Sequence, residues 1–218
     1  MKSYYLLLIL IFSSASAISQ MVLQDPVTAR VFSTEKYSEI KGSPFLFKDW
    51  TKGSVTTLQG RYDNLELKFD VYDNTLYFNK EDKLFEFKDE VKSFVLMPKQ
   101  NDSSSYLYFV KGFTAEGLNS RKYIQVLSEG KLSFYKSDIR LLSELNEINK
   151  GIVKSFSNAT RYYIAVKGEL HVARLSKNDI LPYFKDKEQQ INSFMETNKL
   201  GFKKEQDIKK IIDYYNSL

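Results

Sequence analysis

The stretch Leu65-Glu66-Leu67-Lys68-Phe69-Asp70-Val71-Tyr72 decides the fold. Leu65, Leu67, Phe69 and Val71 alternate with Glu66, Lys68, Asp70 and Tyr72. A period of two places the two sets on opposite sides of a β-strand, one side buried and one wet. Asp73-Asn74 follows, and both side chains tolerate the left-handed backbone that a tight turn needs. Residues 75–79 then return as the partner strand. Working outward, Glu81-Asp82 is a second turn, and strands are expected at 54–59, 84–87 and 91–97. Residues 101–105 (NDSSS) form a polar loop, and 106–111 reads as a strand apolar on both faces.

Farther along, 121–126 (RKYIQV) and 161–166 (RYYIAV) resemble each other. Each runs into a Gly-containing turn, Glu129-Gly130 and Lys167-Gly168, and returns at 131–135 and 169–174, so each is a hairpin. Two copies suit two similar hairpins on one sheet better than a true repeat. Between them, Leu141, Leu145 and Ile148 fit helical spacing and Gly151 supplies a stop. A short helix or ordered connector is therefore expected over 138–150. Toward the start, Val27, Val31 and Phe32 suggest an edge strand. Phe45, Phe47 and Trp50 are expected to plug the core from a loop.

The last 43 residues change character. Ser176 and Asp179 have capping-box spacing, and Pro182 should interrupt the turn they start. Asp186 is a candidate cap for a second helix bearing Ile191, Phe194 and Met195, which Gly201 should break. Ile208, Ile211, Ile212 and Tyr215 form the apolar stripe of a third, with Lys209, Lys210 and Asp213 opposite. The expected class is mainly β (α+β): an antiparallel β-meander of about nine or ten strands, as a sandwich or open barrel. C-terminal amphipathic helices pack on it. The expected division is 1–19 signal peptide, 20–175 antiparallel β domain and 176–218 helical segment packed on that domain.

The leader reading rests on Met1-Lys2, the apolar run 4–12 (YYLLLILIF), and small residues from Ser13 to Ala17. Cleavage is expected after Ala17 or Ser19. The apolar run rises only about 14 Å as a helix, short of the roughly 30 Å hydrocarbon core, which argues against an uncleaved anchor; no other stretch approaches 18 apolar residues, so no transmembrane span is expected after cleavage. The protein is thus read as exported, periplasmic or extracellular. The net charge is +5, or +4 without Lys2, with bases and acids interspersed. That distribution argues against nucleic acid as a partner. The absence of cysteine excludes thiolate catalysis and Cys-based zinc sites.

The C-terminal run 176–181 (SKNDIL), then 184–187 (FKDK), 198–200 (NKL) and 213–218 (DYYNSL), together with the Tyr-rich hairpins and the leader, resembles a loose group of exported β-rich proteins of Bacteroidetes-type bacteria. The resemblance rests on caps, hairpins and an amphipathic helix. It implies a bacterial envelope location and brings no activity and no catalytic residues.

No catalytic, cofactor-binding or metal constellation stands out. His171 is the sole histidine and cannot build a multi-histidine metal site. Neither G-x-S-x-G nor a phosphate-binding glycine loop is present. The run Asp70-Val71-Tyr72-Asp73-Asn74 offers three oxygen side chains near one turn, fewer than the six to eight that calcium takes. Glu81-Asp82 and Asp89-Glu90 read as strand-end charges, and the sequons at Asn101 and Asn158 as matches by composition. The reading is a non-enzymatic envelope protein that binds a partner, an envelope protein or an apolar small molecule. Two alternatives stand beside it. One is a carrier of a lipid-like ligand in a concave sheet; the other is a carboxylate-dependent hydrolase.

Overall fold

A computed structural model describes residues 31–32, 34–148 and 151–218; the leader and Val27 lie outside them. Twelve strands form one sheet: β1 (Val31–Phe32), β2 (Ile40–Lys41), β3 (Thr51–Thr57), β4 (Arg61–Asp70), β5 (Thr75–Lys80), β6 (Lys83–Glu86), β7 (Val91–Met97), β8 (Leu107–Val110), β9 (Ile124–Ser128), β10 (Leu132–Glu147), β11 (Gly151–Val166) and β12 (Glu169–Ala173). Their order is β1-β6-β5-β4-β3-β7-β8-β9-β10-β11-β12, with β2 pairing β11 in parallel. The sheet is mainly antiparallel and does not close into a barrel. From β3 onward the meander is broken once, where β7 returns to flank β3 instead of β6; before it, β1 flanks β6 and β2 flanks β11.

Local chemistry sets the turns. Asn74 holds φ 57° between β4 and β5, and Glu81 and Asp82 hold 53° and 56° between β5 and β6. The quoted alternation buries Leu67 and Phe69 on one face of β4, while Lys68 crosses to the other. There its ammonium lies over the rings of Phe45 and Trp50. The 45–50 loop therefore serves both faces, because Leu46 and Phe47 pack with the Leu67–Phe69 cluster.

Register shows how the cores are placed. Phe94, Phe109, Gln125, Lys136 and Tyr162 are successive cross-strand neighbours on β7 to β11, so they share a face. At one end of that face Phe69, Phe94, Phe109 and Tyr123 fill a ring cluster, with Phe94 and Phe109 stacked at 4.6 Å. At the other end helices cover it: α1 (Lys177–Ile180), α2 (Glu188–Asn198) and α3 (Glu205–Ser217). Ile208, Ile211 and Ile212 of α3 are fully buried against Phe134 and Ile164 of the sheet. The opposite face, through Val126, Tyr135 and Tyr163, is covered by Phe113, Ala115 and Leu118 of the 111–123 connection.

Three expectations need correction. Residues 138–147 are strand, not helix. The stripe Leu141, Leu145, Ile148 lacks an apolar surface to cover, whereas the backbone pairs residue by residue with 151–160. Asp186 does not cap α2, which begins after Lys187 with no side-chain cap bond. Its carboxylate accepts from the Tyr215 hydroxyl at 3.0 Å and pairs with Lys131 at 3.1 Å. The left-handed residue ending α2 is Lys199 (φ 53°), ahead of Gly201. Ser176 does cap α1, accepting from the Asp179 amide at 3.3 Å.

Candidate functional site

The hairpin of β10 and β11 is far longer than its neighbours. The two strands pair from Leu132↔Val166 to Glu147↔Gly151. β9 accompanies β10 only as far as Lys136, and β12 accompanies β11 only over 162–166. Residues 137–147 and 151–161 therefore leave the sheet as a two-stranded ribbon, with only β2 added along it. At about 3.4 Å per residue, the arm 137–147 runs roughly 37 Å.

Its base is clamped. The Phe156 ring meets Tyr72 at 5.0 Å and Tyr37 at 5.7 Å, both edge-on. The Arg140 guanidinium donates to the Ser43 carbonyl at 3.2 Å and the Phe45 carbonyl at 2.9 Å. Beneath lies Asp70, with no exposed surface. Its carboxylate accepts the Tyr37 hydroxyl at 2.7 Å and the Asp73 amide at 2.9 Å. Burial pushes the Asp70 carboxyl above its ordinary range, although both hydrogen bonds and the Lys36 ammonium favour the charged form. Burial, then the Asp70 carboxylate, drives the Tyr37 phenol upward. Asp138 is likewise raised by burial despite Lys136 and Arg140. Burial lowers the Arg140 guanidinium, against Asp138 and Asp70.

The distal end is different. Ile148 is 90% exposed, Ile152 66%, Leu145 65% and Leu141 52%. Polar cross-strand pairs hold the arms together there: Ser143 with Ser155 at 3.0 Å, and Glu144 with Lys154 at 3.1 Å. Lys41 pairs with Glu147 at 3.8 Å. Register sets Leu145 beside Val153, with Leu141 on the same side.

The residues weighed for chemistry do not converge. His171 is exposed on β12, opposite Ile164. Asp70 is engaged by the clamp, and Asp73 pairs with Lys36. Glu81 and Asp82 are exposed turn residues, and Glu90 is occupied by Lys92 and Lys111, which pull its carboxyl down to about 2. Among the described residues no group of three or more His, Cys, Asp or Glu side chains is placed to hold a metal ion. No helix among them is long and apolar enough to cross a membrane. A shallow groove of about 390 Å³ is lined by residues of β7 to β9, among them Val95, Tyr108 and Val126, together with Lys209 and Asp213 of α3. Sequence reading missed the ribbon. A signal was present in the continuity of 151–166 with the recognised strand 161–166, rich in Val, Phe, Thr and Tyr. Compared with family models, curated proteins and solved structures, the chain matches none.

Proposed function

We propose that the protein is an exported cell-envelope interaction module, without catalytic activity, that engages its partner through the distal end of the β10–β11 ribbon. The observation that carries this reading is the exposure of Leu141, Leu145, Ile148 and Ile152 on one projecting element. Leu141 and Leu145 lie on one side of the ribbon and Ile152 on the other, so the tip offers aliphatic groups on both sides, which suits a partner that grips it. Export is supported by the leader-like pattern of residues 1–19, and an envelope setting by the resemblance of the C-terminal run. A lipid carrier needs an open apolar sheet face, and Phe69, Phe94, Phe109 and Tyr123 pack on one another at one end of the face that the helices cover. A carboxylate hydrolase needs two acids facing one cleft, and the raised acids Asp70 and Asp138 instead sit around Arg140.

The test is the triple variant L145S/I148S/I152S. Its unfolding midpoint should match wild type, because the replaced side chains are exposed. It should lose the envelope partner that wild-type protein retains on size-exclusion chromatography of gently solubilised membranes. Retention of the same complex by the variant, or robust turnover of any substrate in a hydrolase panel by purified protein, overturns the proposal.

A further inference from the structure

The C-terminal helices carry a feature that shares no residue with the ribbon. The start of α1 and the loop from α2 to α3 surround an open groove of about 480 Å³. That is within the roughly 300–1,000 Å³ of small-ligand sites. Leu175, Leu200 and Phe202 give it an apolar lining, and Lys177, Lys199, Lys203 and Lys204 stand around it. All four lysines are exposed. Among the described residues none of them is in an ion pair. The groove's one carboxylate, Asp207, is turned to the backbone, accepting the Gly201 amide at 3.1 Å.

Three of these lysines occupy positions that folding alone would fill otherwise. Lys204 is the residue before α3 and makes no cap bond, where Ser, Thr, Asp or Asn would satisfy a free amide. Lys203 adds positive charge beside the positive end of the same helix, which disfavours it. Lys199 holds φ 53°, a conformation that Gly or Asn adopts at lower cost. Unpaired positive charge collected against the backbone's own preferences, around an apolar lining, is complementary to a molecule with an anionic head and a hydrocarbon body.

The geometry points to a binding site for a monomeric single-chain amphiphile with an anionic head. The head lies among Lys199, Lys203 and Lys204, and the chain lies against Leu175, Leu200 and Phe202. The ligand comes from solution, not from a membrane surface, because Leu175, Leu200 and Phe202 line a groove and do not project from the surface as lipid-inserting side chains would. The site goes beyond the proposed interaction role and neither needs the ribbon nor supports it.

Titration calorimetry of the purified protein with sodium laurate below its micelle concentration tests the site. One saturable site is expected. K203Q/K204Q should weaken it by roughly tenfold or more, as loss of charge-assisted contacts does. Raising NaCl from about 50 to about 500 mM should weaken it further through screening, and dodecanol should bind at least about tenfold more weakly than laurate. L145S/I148S/I152S should bind laurate as wild type does, which separates failure of this site from failure of the ribbon. Absence of saturation, unchanged affinity in K203Q/K204Q, or equal binding of dodecanol overturns the assignment. So does sedimentation with phosphatidylglycerol vesicles without laurate binding, which would mark a membrane-surface contact instead.

Discussion

Asp70 is a carboxyl group with no exposed surface, and its environment raises its pKa. The folded protein therefore holds that proton more tightly than the unfolded chain does. The contribution to stability is complete below the ordinary carboxylate pKa, near 4, and is lost as pH rises through the raised value. Asp70→Asn cannot titrate. The difference in melting temperature, variant minus wild type, is predicted to grow as pH rises from about 4 to about 7. Differential scanning calorimetry across that range checks it; a constant or shrinking difference would contradict the burial argument. Gly53 supplies a second prediction. A Cβ there would strike the Val95 carbonyl oxygen and come within 2.6 Å of Leu67 Cδ1. Gly53→Ala should cost about 2–3 kcal/mol and lower the melting temperature by roughly 5–10 °C. At this scale the sequence is legible where one residue decides its own geometry. Asn74, Glu81 and Asp82 take left-handed turns, and Ser176 caps its helix. Asp186 is misread because a Tyr hydroxyl and a Lys from distant segments compete for its carboxylate.

The elements show the same division. The Leu65–Tyr72 alternation marks a strand because one face has something to bury against. The α3 stripe is legible for the same reason: Ile208, Ile211 and Ile212 have no exposed surface. Ile212→Ala should cost about 2–5 kcal/mol by emptying that contact, read as a shift in the urea midpoint. The ribbon is the opposite case. Its distal half buries almost nothing, so no face imposes a period on residues 141–147, and Leu141, Leu145 and Ile148 satisfy a helical template by default. What makes the segment a strand is pairing with 151–160, seen in Glu144–Lys154 and Ser143–Ser155. Because this end is exposed, each replacement in L145S/I148S/I152S is predicted to change stability by no more than about 0.5 kcal/mol, measured by denaturant titration.

For the whole molecule, class and layering follow from composition and periodicity, but strand order does not. Nothing local in Val91–Met97 says that β7 turns back to pair β3. The N-terminal segment also crosses from β6, which β1 flanks, to β11, which β2 flanks. That route lays Tyr37 against Tyr72 and Phe156 and so stiffens the ribbon's base. The candidate site was illegible on the same ground: it is made by the extra length of one hairpin relative to its neighbours, a property of the sheet. The result is a filled sheet and helix layer that present a firmly rooted apolar tip. The claim that this tip is the contact surface is tested most directly by placing a photo-crosslinking residue at Ile148, with a control at Lys167 in the β11–β12 turn, in the protein's native cells. The account predicts a discrete adduct from position 148, competed away by excess wild-type protein but not by L145S/I148S/I152S, and none from position 167. No adduct at 148, the same adduct from both positions, or competition by the triple variant would contradict it.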